Sequence, residues 1–190
     1  MNLNASNVTH LVVDMLYDFI DGSLACQNSI DAVSNTVKYI NDNPYQRVLY
    51  ICDNHPTNHC SFKENGGIWP VHCVQGTRGA EIHSKFFGEL SLERIKPHND
   101  NVFLKGRDPQ LEQYSGFDSH NLRGERILNY ATKKVVISGI ATEYCVKESC
   151  MELLKAGYDV YINRENLAYV NFEGHLKALK EMELNGAMII

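Results

Sequence analysis

Short apolar, β-branched runs recur along the chain with helical patterns between most of them, and this alternation limits the fold more than any other feature. These runs predict strands at 10–14, 47–53, 101–105, 134–139 and 159–163. The runs are apolar at nearly every residue, which is typical of strands that are buried on both faces. We therefore predict an α/β fold of three layers (α/β/α), with helices covering a mainly parallel central sheet of about six strands.

Apolar residues spaced three or four apart predict helices between these strands, because that spacing places them on one helix face. The helices are predicted at 30–40, 122–130, 142–156 and 172–184. With 190 residues, the chain is predicted to form one domain over 1–190. The segment at about 54–100 is rich in His, Gly and Asn, and a loop insert of that length needs a functional reason.

Composition and charge exclude several classes of function. The formal net charge is -5 and Lys and Arg form no stripe, so nucleic acid is not a predicted partner. No stretch approaches 18 apolar residues, and the first residues show no signal peptide, so no membrane association is predicted. We expect a cytoplasmic protein whose six cysteines are reduced.

Four reactive side chains, far apart in sequence, are predicted to meet at one edge of the sheet. Asp14, Asp53 and Lys105 each end a predicted strand, and Cys145 lies in the first turn of a predicted helix. Open α/β sheets bind ligands beyond the carboxyl ends of their strands. A cysteine in a first helical turn is favoured as a thiolate. We predict Cys145 as nucleophile, Asp14 as proton acceptor and donor, and Lys105 as the cation beside both.

A second cluster has the spacing of metal ligands. Asp53, His55 and His59 form the pattern D-x-H-x-x-x-H, and His72 in WPVHC completes a set of four. Three imidazoles and one carboxylate suit a first-row cation such as zinc, iron or manganese. The cysteines beside these ligands leave a structural Cys/His zinc site as a weaker alternative, because they contain no C-x-x-C pair. They are Cys52, Cys60 and Cys73.

Five segments, in this order and spacing, carry a resemblance to a known family over nearly the whole chain. They are VVDMLYDFIDGSLA, DNHPTNHCSF, WPVHCVQGTRGAEIH, LKGRDPQLEQYSGF and SGIATEYCV. Together they resemble the nicotinamidase/pyrazinamidase branch of the isochorismatase-like cysteine hydrolases. The resemblance implies an amidohydrolase that converts nicotinamide to nicotinic acid and ammonia in NAD salvage, through a thioester on the nucleophile. Pyrazinamide is implied as a further substrate.

The resemblance also implies which residues carry the reaction. It implies the catalytic triad Asp14, Lys105 and Cys145. It also implies one divalent metal ion, with zinc as the first choice and iron or manganese as alternatives. The metal is implied to be held by Asp53, His55, His59 and His72, to hold the pyridine nitrogen and to provide water. Relatives suggest a homodimer or larger assembly.

Three further features are implied by the resemblance. Phe19 and Trp69 are implied to sandwich the pyridine ring. A cis peptide is implied between Ile140 and Ala141, and the backbone N–H groups of Ala141 and Cys145 are implied to form the oxyanion hole.

Three positions have no assigned role. The family often has Asp where this chain has Glu143, and Tyr144 is the neighbour of the nucleophile. Some relatives place a glutamate in the metal sphere, so Glu64 is an alternative to a histidine ligand.

Three other functions are weighed against this one. The first is another amide or carbamoyl hydrolase with the same triad, which the D-x-H-x-x-x-H segment disfavours. The second is a non-catalytic metal-binding or scaffold protein, which the intact triad disfavours. The third is a vinyl-ether hydrolase of the isochorismatase type, for which the thiol is unnecessary.

Overall fold

The computed structural model describes residues 3–190 and contains one six-stranded sheet. All neighbouring strands are parallel and their order is β3-β2-β1-β4-β5-β6. The strands are β1 (Val8–Val13), β2 (Arg47–Asp53), β3 (Val102–Lys105), β4 (Lys134–Gly139), β5 (Asp159–Leu167) and β6 (Met188–Ile189). The chain leaves the centre at β1, reaches one edge at β3 and returns to the centre at β4. A switch of this kind opens a crevice at the carboxyl ends of the central strands.

Helices cover both faces of the sheet. They are α1 (Tyr17–Ile20), α2 (Ser29–Asp42), α3 (Lys85–Gly88), α4 (Lys147–Lys155) and α5 (Phe172–Leu184). The apolar side of α2 packs into a core cluster on one face, where Val33 and Ile40 are buried with Val12 of β1. On the other face, α4 and α5 bury Leu153 and Met182 in a second cluster. The three-layer α/β architecture predicted from the sequence is confirmed.

The helix predicted at 122–130 is wrong. Only a short 3-10 turn, Ile127–Asn129, forms there. The Asn121 side-chain oxygen accepts the N–H groups of Arg123 and Glu125 at 3.0 Å each, and Gly124 has a φ of 78°. A side chain that binds nearby N–H groups competes with helix formation, and a left-handed residue interrupts it.

Other differences are at the boundaries of elements. β5 continues to Leu167 through an irregularity between its pairings with Ile137 and Gly139. The strand β6 has two residues, too few for the sequence pattern to locate. The helix predicted from residue 142 begins as a π-helical turn, Thr142–Val146, before α4. The division into one domain with a loop insert stays a prediction.

In residues 3–190, no helix is both long and apolar enough to traverse a bilayer. The six cysteines are all free thiols in this structure.

Candidate active site and metal centre

The ends of β1, β2 and β3 bring the predicted catalytic groups together. Asp14 follows β1, and Asp53 and Lys105 end β2 and β3. The Nζ of Lys105 lies 2.9 Å from Asp14 Oδ2, 2.5 Å from Asp53 Oδ1 and 3.4 Å from Cys145 Sγ. The Oδ1 of Asp14 accepts the backbone N–H of Asp53 at 2.8 Å. Two carboxylates, one ammonium and one thiol therefore share a single buried site.

Burial and mutual charge give the two carboxyl groups different proton affinities. Burial, together with the charge of Asp53, raises the pKa of Asp14 to about 6, although Lys105 acts against this. Burial opposes ionisation of Asp53 too, but Lys105 and His55 hold its pKa well below the usual range. Burial alone would lower the pKa of Lys105, yet the two carboxylates raise it well above its usual value. Asp14 is therefore the carboxyl suited to exchange a proton near neutral pH.

The surroundings of the Cys145 thiol favour its protonated form. Burial raises the pKa of the thiol well above its usual value, Lys105 opposes this, and Asp14 and Asp53 add to it. The Sγ of Cys145 lies within 4.8 Å of a carboxylate oxygen of Asp14. Burial thus opposes the thiolate that a first helical turn favours, and a resting thiolate stays a prediction. A nucleophile in this state needs a base, and Asp14 is in contact with it.

Three of the four predicted metal ligands form one buried group. The candidate ligand atoms of Asp53, His55 and His72 lie within 4.8 Å of one another. The Nδ1 atoms of the two histidines donate to the carbonyl oxygens of Gly106 and Pro70, at 2.8 and 2.7 Å. Because a carbonyl can only accept, both rings present an unprotonated Nε2 when neutral, the form that binds metal. One carboxylate and two such imidazoles fit a divalent cation such as zinc.

Gly106 makes room for this arrangement. Its φ is +64°, and a Cβ there would lie 2.4 Å from the imidazole of His55. A side chain at 106 would therefore displace a ligand of the candidate metal centre.

His59 lies beside this group but is not a member of it. Its ring centroid is 4.0 Å from that of His55. Its Nε2 donates to the carbonyl oxygen of Leu111 at 3.1 Å, and its Nδ1 bonds to Ser61 Oγ at 2.7 Å. Both ring nitrogens are thus engaged, and a ligand role for His59 stays a prediction that requires the ring to turn.

The alternative ligands from the sequence are outside the two groups of metal-ligating side chains found in residues 3–190. Glu64 is exposed on the 3-10 turn Lys63–Asn65. The groups are Asp53, His55 and His72, and Asp14, Asp53 and Cys145, so neither contains Cys52, Cys60 or Cys73. This disfavours a structural Cys/His zinc site.

One cavity connects the thiol, the candidate metal centre and the predicted ring-binding residues. Its volume is about 30 Å³. The Nε1 of Trp69 donates to Tyr114 Oη at 3.0 Å, and the ring of Tyr144 stands edge-on to Trp69 with centroids 5.0 Å apart. The lining residues are Phe19, Leu24, Cys26, Asp53, Trp69, His72, Glu112, Tyr114, Ala141, Tyr144, Cys145 and Val170.

Two lining residues, Glu112 and Tyr114, were missed by the sequence analysis. Both lie in the loop after β3, in the segment LKGRDPQLEQYSGF, of which only Lys105 was singled out. Partial burial and the charge of Asp53 raise the pKa of Glu112. Their spacing of two residues, which faces both the same way in an extended loop, is the signal that identifies them.

The backbone of the turn before the nucleophile has the predicted form. The peptide bond between Ile140 and Ala141 is cis, and Ala141 and Cys145 line the same cavity.

Comparison with known proteins agrees with this geometry. Residues 8–190 match the family model described as the Isochorismatase domain. The chain belongs to the isochorismatase family. Within that family, it is 28% identical to a nicotinamidase of Escherichia coli strain K12, over 93% of this chain and 90% of that protein.

Solved structures of this family superpose closely. A pyrazinamidase of Pyrococcus horikoshii in complex with zinc has a TM-score of 0.82 and 33% identity, covering 97% of this chain and 98% of that one. PnC1 from L. infantum, in complex with nicotinate, has a TM-score of 0.83 and 27% identity, covering 98% and 93%. The resemblance read from the five segments is thereby confirmed.

Proposed function

We propose that this member of the isochorismatase family is a nicotinamidase, which hydrolyses nicotinamide to nicotinate and ammonia in NAD salvage. The observation that carries the proposal is the contact of the Lys105 ammonium with both Asp14 and Cys145, at a cavity that also adjoins Asp53 and His72. The nicotinamidase and pyrazinamidase relatives, and the nicotinate complex of one of them, support this substrate class.

The reaction begins with proton transfer within the buried triad. Asp14 accepts the proton of Cys145, and the sulfur attacks the carboxamide carbon. Lys105 stays protonated and offsets the negative charge that moves from the carboxylate to the sulfur. The oxyanion that forms is stabilised by the backbone N–H groups of Ala141 and Cys145, and losing one such donor typically costs about 100- to 1000-fold in rate.

The second half of the reaction returns the proton and releases the acid. Asp14 gives the proton to the departing nitrogen, so ammonia leaves and a thioester remains on Cys145. A water then attacks the thioester carbon and loses its proton to Asp14. The C–S bond breaks, the thiolate recovers its proton from Asp14, and nicotinic acid leaves and loses its remaining proton to solvent. The raised pKa of Asp14, about 6, suits this repeated exchange.

The cavity walls suit a flat aromatic amide. Phe19 and Trp69 are proposed to enclose the ring, and Tyr114 fixes the indole of Trp69 by accepting its N–H at 3.0 Å. The walls are mostly apolar or aromatic with a few polar groups, which is typical of sites for small ligands.

We propose that the divalent metal is zinc, held by Asp53, His55 and His72. The donor set and the zinc complex of the P. horikoshii relative support this choice. When bound, the cation supplies a Lewis-acid centre for the pyridine nitrogen and for water. Glu112 lines the same cavity.

An ammonia-release assay with nicotinamide tests the proposed function. We expect turnover by the purified enzyme, loss of turnover after chelation, and recovery when zinc is restored. Benzamide, which has the same shape without the ring nitrogen, is the matched substrate and should be hydrolysed much more slowly. If the zinc-loaded enzyme released no ammonia from nicotinamide, the proposal would be refuted, and carbamoyl amides would be tested next.

A further inference from the structure

Glu143 lies next to the reacting groups without belonging to the triad or the metal centre. It sits in the π-helical turn Thr142–Val146, between Ala141 and Cys145. Its carboxylate accepts the backbone N–H of Asn171 at 2.7 Å and that of Val170 at 3.3 Å. One side chain of the oxyanion turn therefore holds two consecutive residues of the segment that follows β5.

The segment 168–171 joins two walls of the cavity. On the opposite side, Gln27 and Tyr169 exchange two backbone hydrogen bonds, of 2.8 and 3.2 Å. The Gln27 side chain donates to the carbonyl oxygen of Val170 at 3.2 Å. Val170 thus has its N–H held by Glu143 and its carbonyl held by Gln27, and its side chain lines the cavity with Cys145.

We propose that Glu143 is a positioning residue, and this inference rests on the proposed function. Glu143 holds Val170, which forms one wall of the cavity, against the oxyanion turn Thr142–Val146 and so strengthens substrate binding. A wall that is already ordered costs less entropy when the ring binds. The cavity is small, about 30 Å³, so the position of each wall decides whether a ring is contacted on both faces.

The absence of a side chain at Gly174 leaves the space that the Glu143 side chain occupies. Asn171 caps α5 by accepting the N–H of Gly174 at 3.0 Å. A Cβ at Gly174 would lie 2.9 Å from Glu143 Cγ, so the glutamate lies along the first turn of α5 where a side chain would displace it. The carboxylate also complements the positive end of α5.

The oxyanion turn has a separate attachment that does not depend on this carboxylate. Thr142 donates to the carbonyl oxygen of Ala168 through both its backbone N–H, at 2.9 Å, and its hydroxyl, at 3.0 Å. His175 of α5 donates to the same hydroxyl from Nδ1 at 2.9 Å. Loss of the Glu143 carboxylate should therefore weaken binding at the Val170 wall and leave the turn that carries Cys145 in place.

Glu143→Gln is the first test, with ammonia release from nicotinamide as the assay. The amide is isosteric but has one acceptor oxygen for two N–H donors, so KM should rise about tenfold, as expected when a hydrogen bond to an ionised group is lost. The kcat should stay within about threefold, because a change in KM alone reports lost uniform binding. The matched control is Glu148→Gln, whose exposed carboxylate in α4 pairs with Lys147, and which should leave KM unchanged.

Gly174→Ala is the second test and separates positioning from stability. Alanine favours a helix over glycine by about 1 kcal/mol, which offsets part of the stability lost when the carboxylate moves, so the variant should stay folded at the assay temperature. The added Cβ should nevertheless displace Glu143 and raise KM in the same direction. Binding of nicotinate, followed by the fluorescence of Trp69, the one tryptophan of the chain, should weaken in parallel.

The outcomes distinguish this inference from the proposed function. Wild-type enzyme that neither binds nicotinate nor hydrolyses nicotinamide would refute the proposed function. Active wild-type enzyme with equal KM values for Glu143→Gln and Glu148→Gln would overturn the positioning role alone. A rise in KM for both Glu143→Gln and Gly174→Ala, with both variants folded at the assay temperature, would support it.

Discussion

Replacing Lys105 with methionine leaves two buried carboxylates without their cation. The Lys105 and Asp14 side chains have no exposed surface, and that of Asp53 is 6% exposed. Removing one partner of a buried ion pair typically costs about 3–5 kcal/mol. We therefore expect Lys105→Met to lose about 4 kcal/mol in the free energy of unfolding.

Urea unfolding of the chelated protein at pH 7, followed by circular dichroism, measures this loss. A second change, Asp14→Asn, removes one of the two stranded charges. The double variant should therefore be more stable than Lys105→Met alone, by about 1–3 kcal/mol, since it buries one unpaired charge where the single variant buries two. Neither variant should release ammonia from nicotinamide.

Two results would refute the charge balance described for the triad. One is a Lys105→Met protein whose free energy of unfolding is within about 1 kcal/mol of the wild-type value, because breaking a buried ion pair typically costs more than this. The other is a double variant less stable than the single one, since that would mean that Asp14 carries no unfavourable charge once Lys105 is gone.

Two further predictions concern the metal centre and the core. His55→Ala should fold but bind less than one zinc per chain, measured by elemental analysis; full metal content would contradict the ligand assignment. Burial lowers the pKa of His10 to about 3 from 6.5, so the stability that its neutral form contributes is present above pH 6.5 and is lost as pH falls towards 3. From pH 6.5 to 5, wild type should lose about 2 kcal/mol in urea unfolding from this group. In His10→Gln, the free energy of unfolding should no longer fall by this amount between pH 6.5 and 5. The exposed control His98→Gln should show the same fall as wild type, and an equal fall in both variants would contradict the prediction.

The convergence of the triad was predictable because it follows from strand ends in a parallel sheet. Asp14, Asp53 and Lys105 each end an apolar run, and parallel neighbours bring such ends to one edge. The spacing of Asp53 and His55 was equally informative, because two residues at i and i+2 on an extended segment face the same side.

Other properties depend on tertiary contacts that no local pattern contains. Burial raises the pKa of the Cys145 thiol, and the His59 ring is held by the carbonyl oxygen of Leu111, which lies 52 residues away. The helix predicted at 122–130 fails because Asn121 binds the N–H groups of the following turn. Local side-chain hydrogen bonds of this kind override apolar spacing.

The covalent role of Cys145 is the claim on which the mechanism depends most directly. It can be measured by quenching the enzyme in acid during turnover of nicotinamide and mapping the adduct by peptide mass spectrometry. We predict one nicotinoyl group on the peptide that contains Cys145, and neither adduct nor ammonia from Cys145→Ala with its metal in place. An adduct on a different residue, or undiminished ammonia release by Cys145→Ala, would contradict the mechanism.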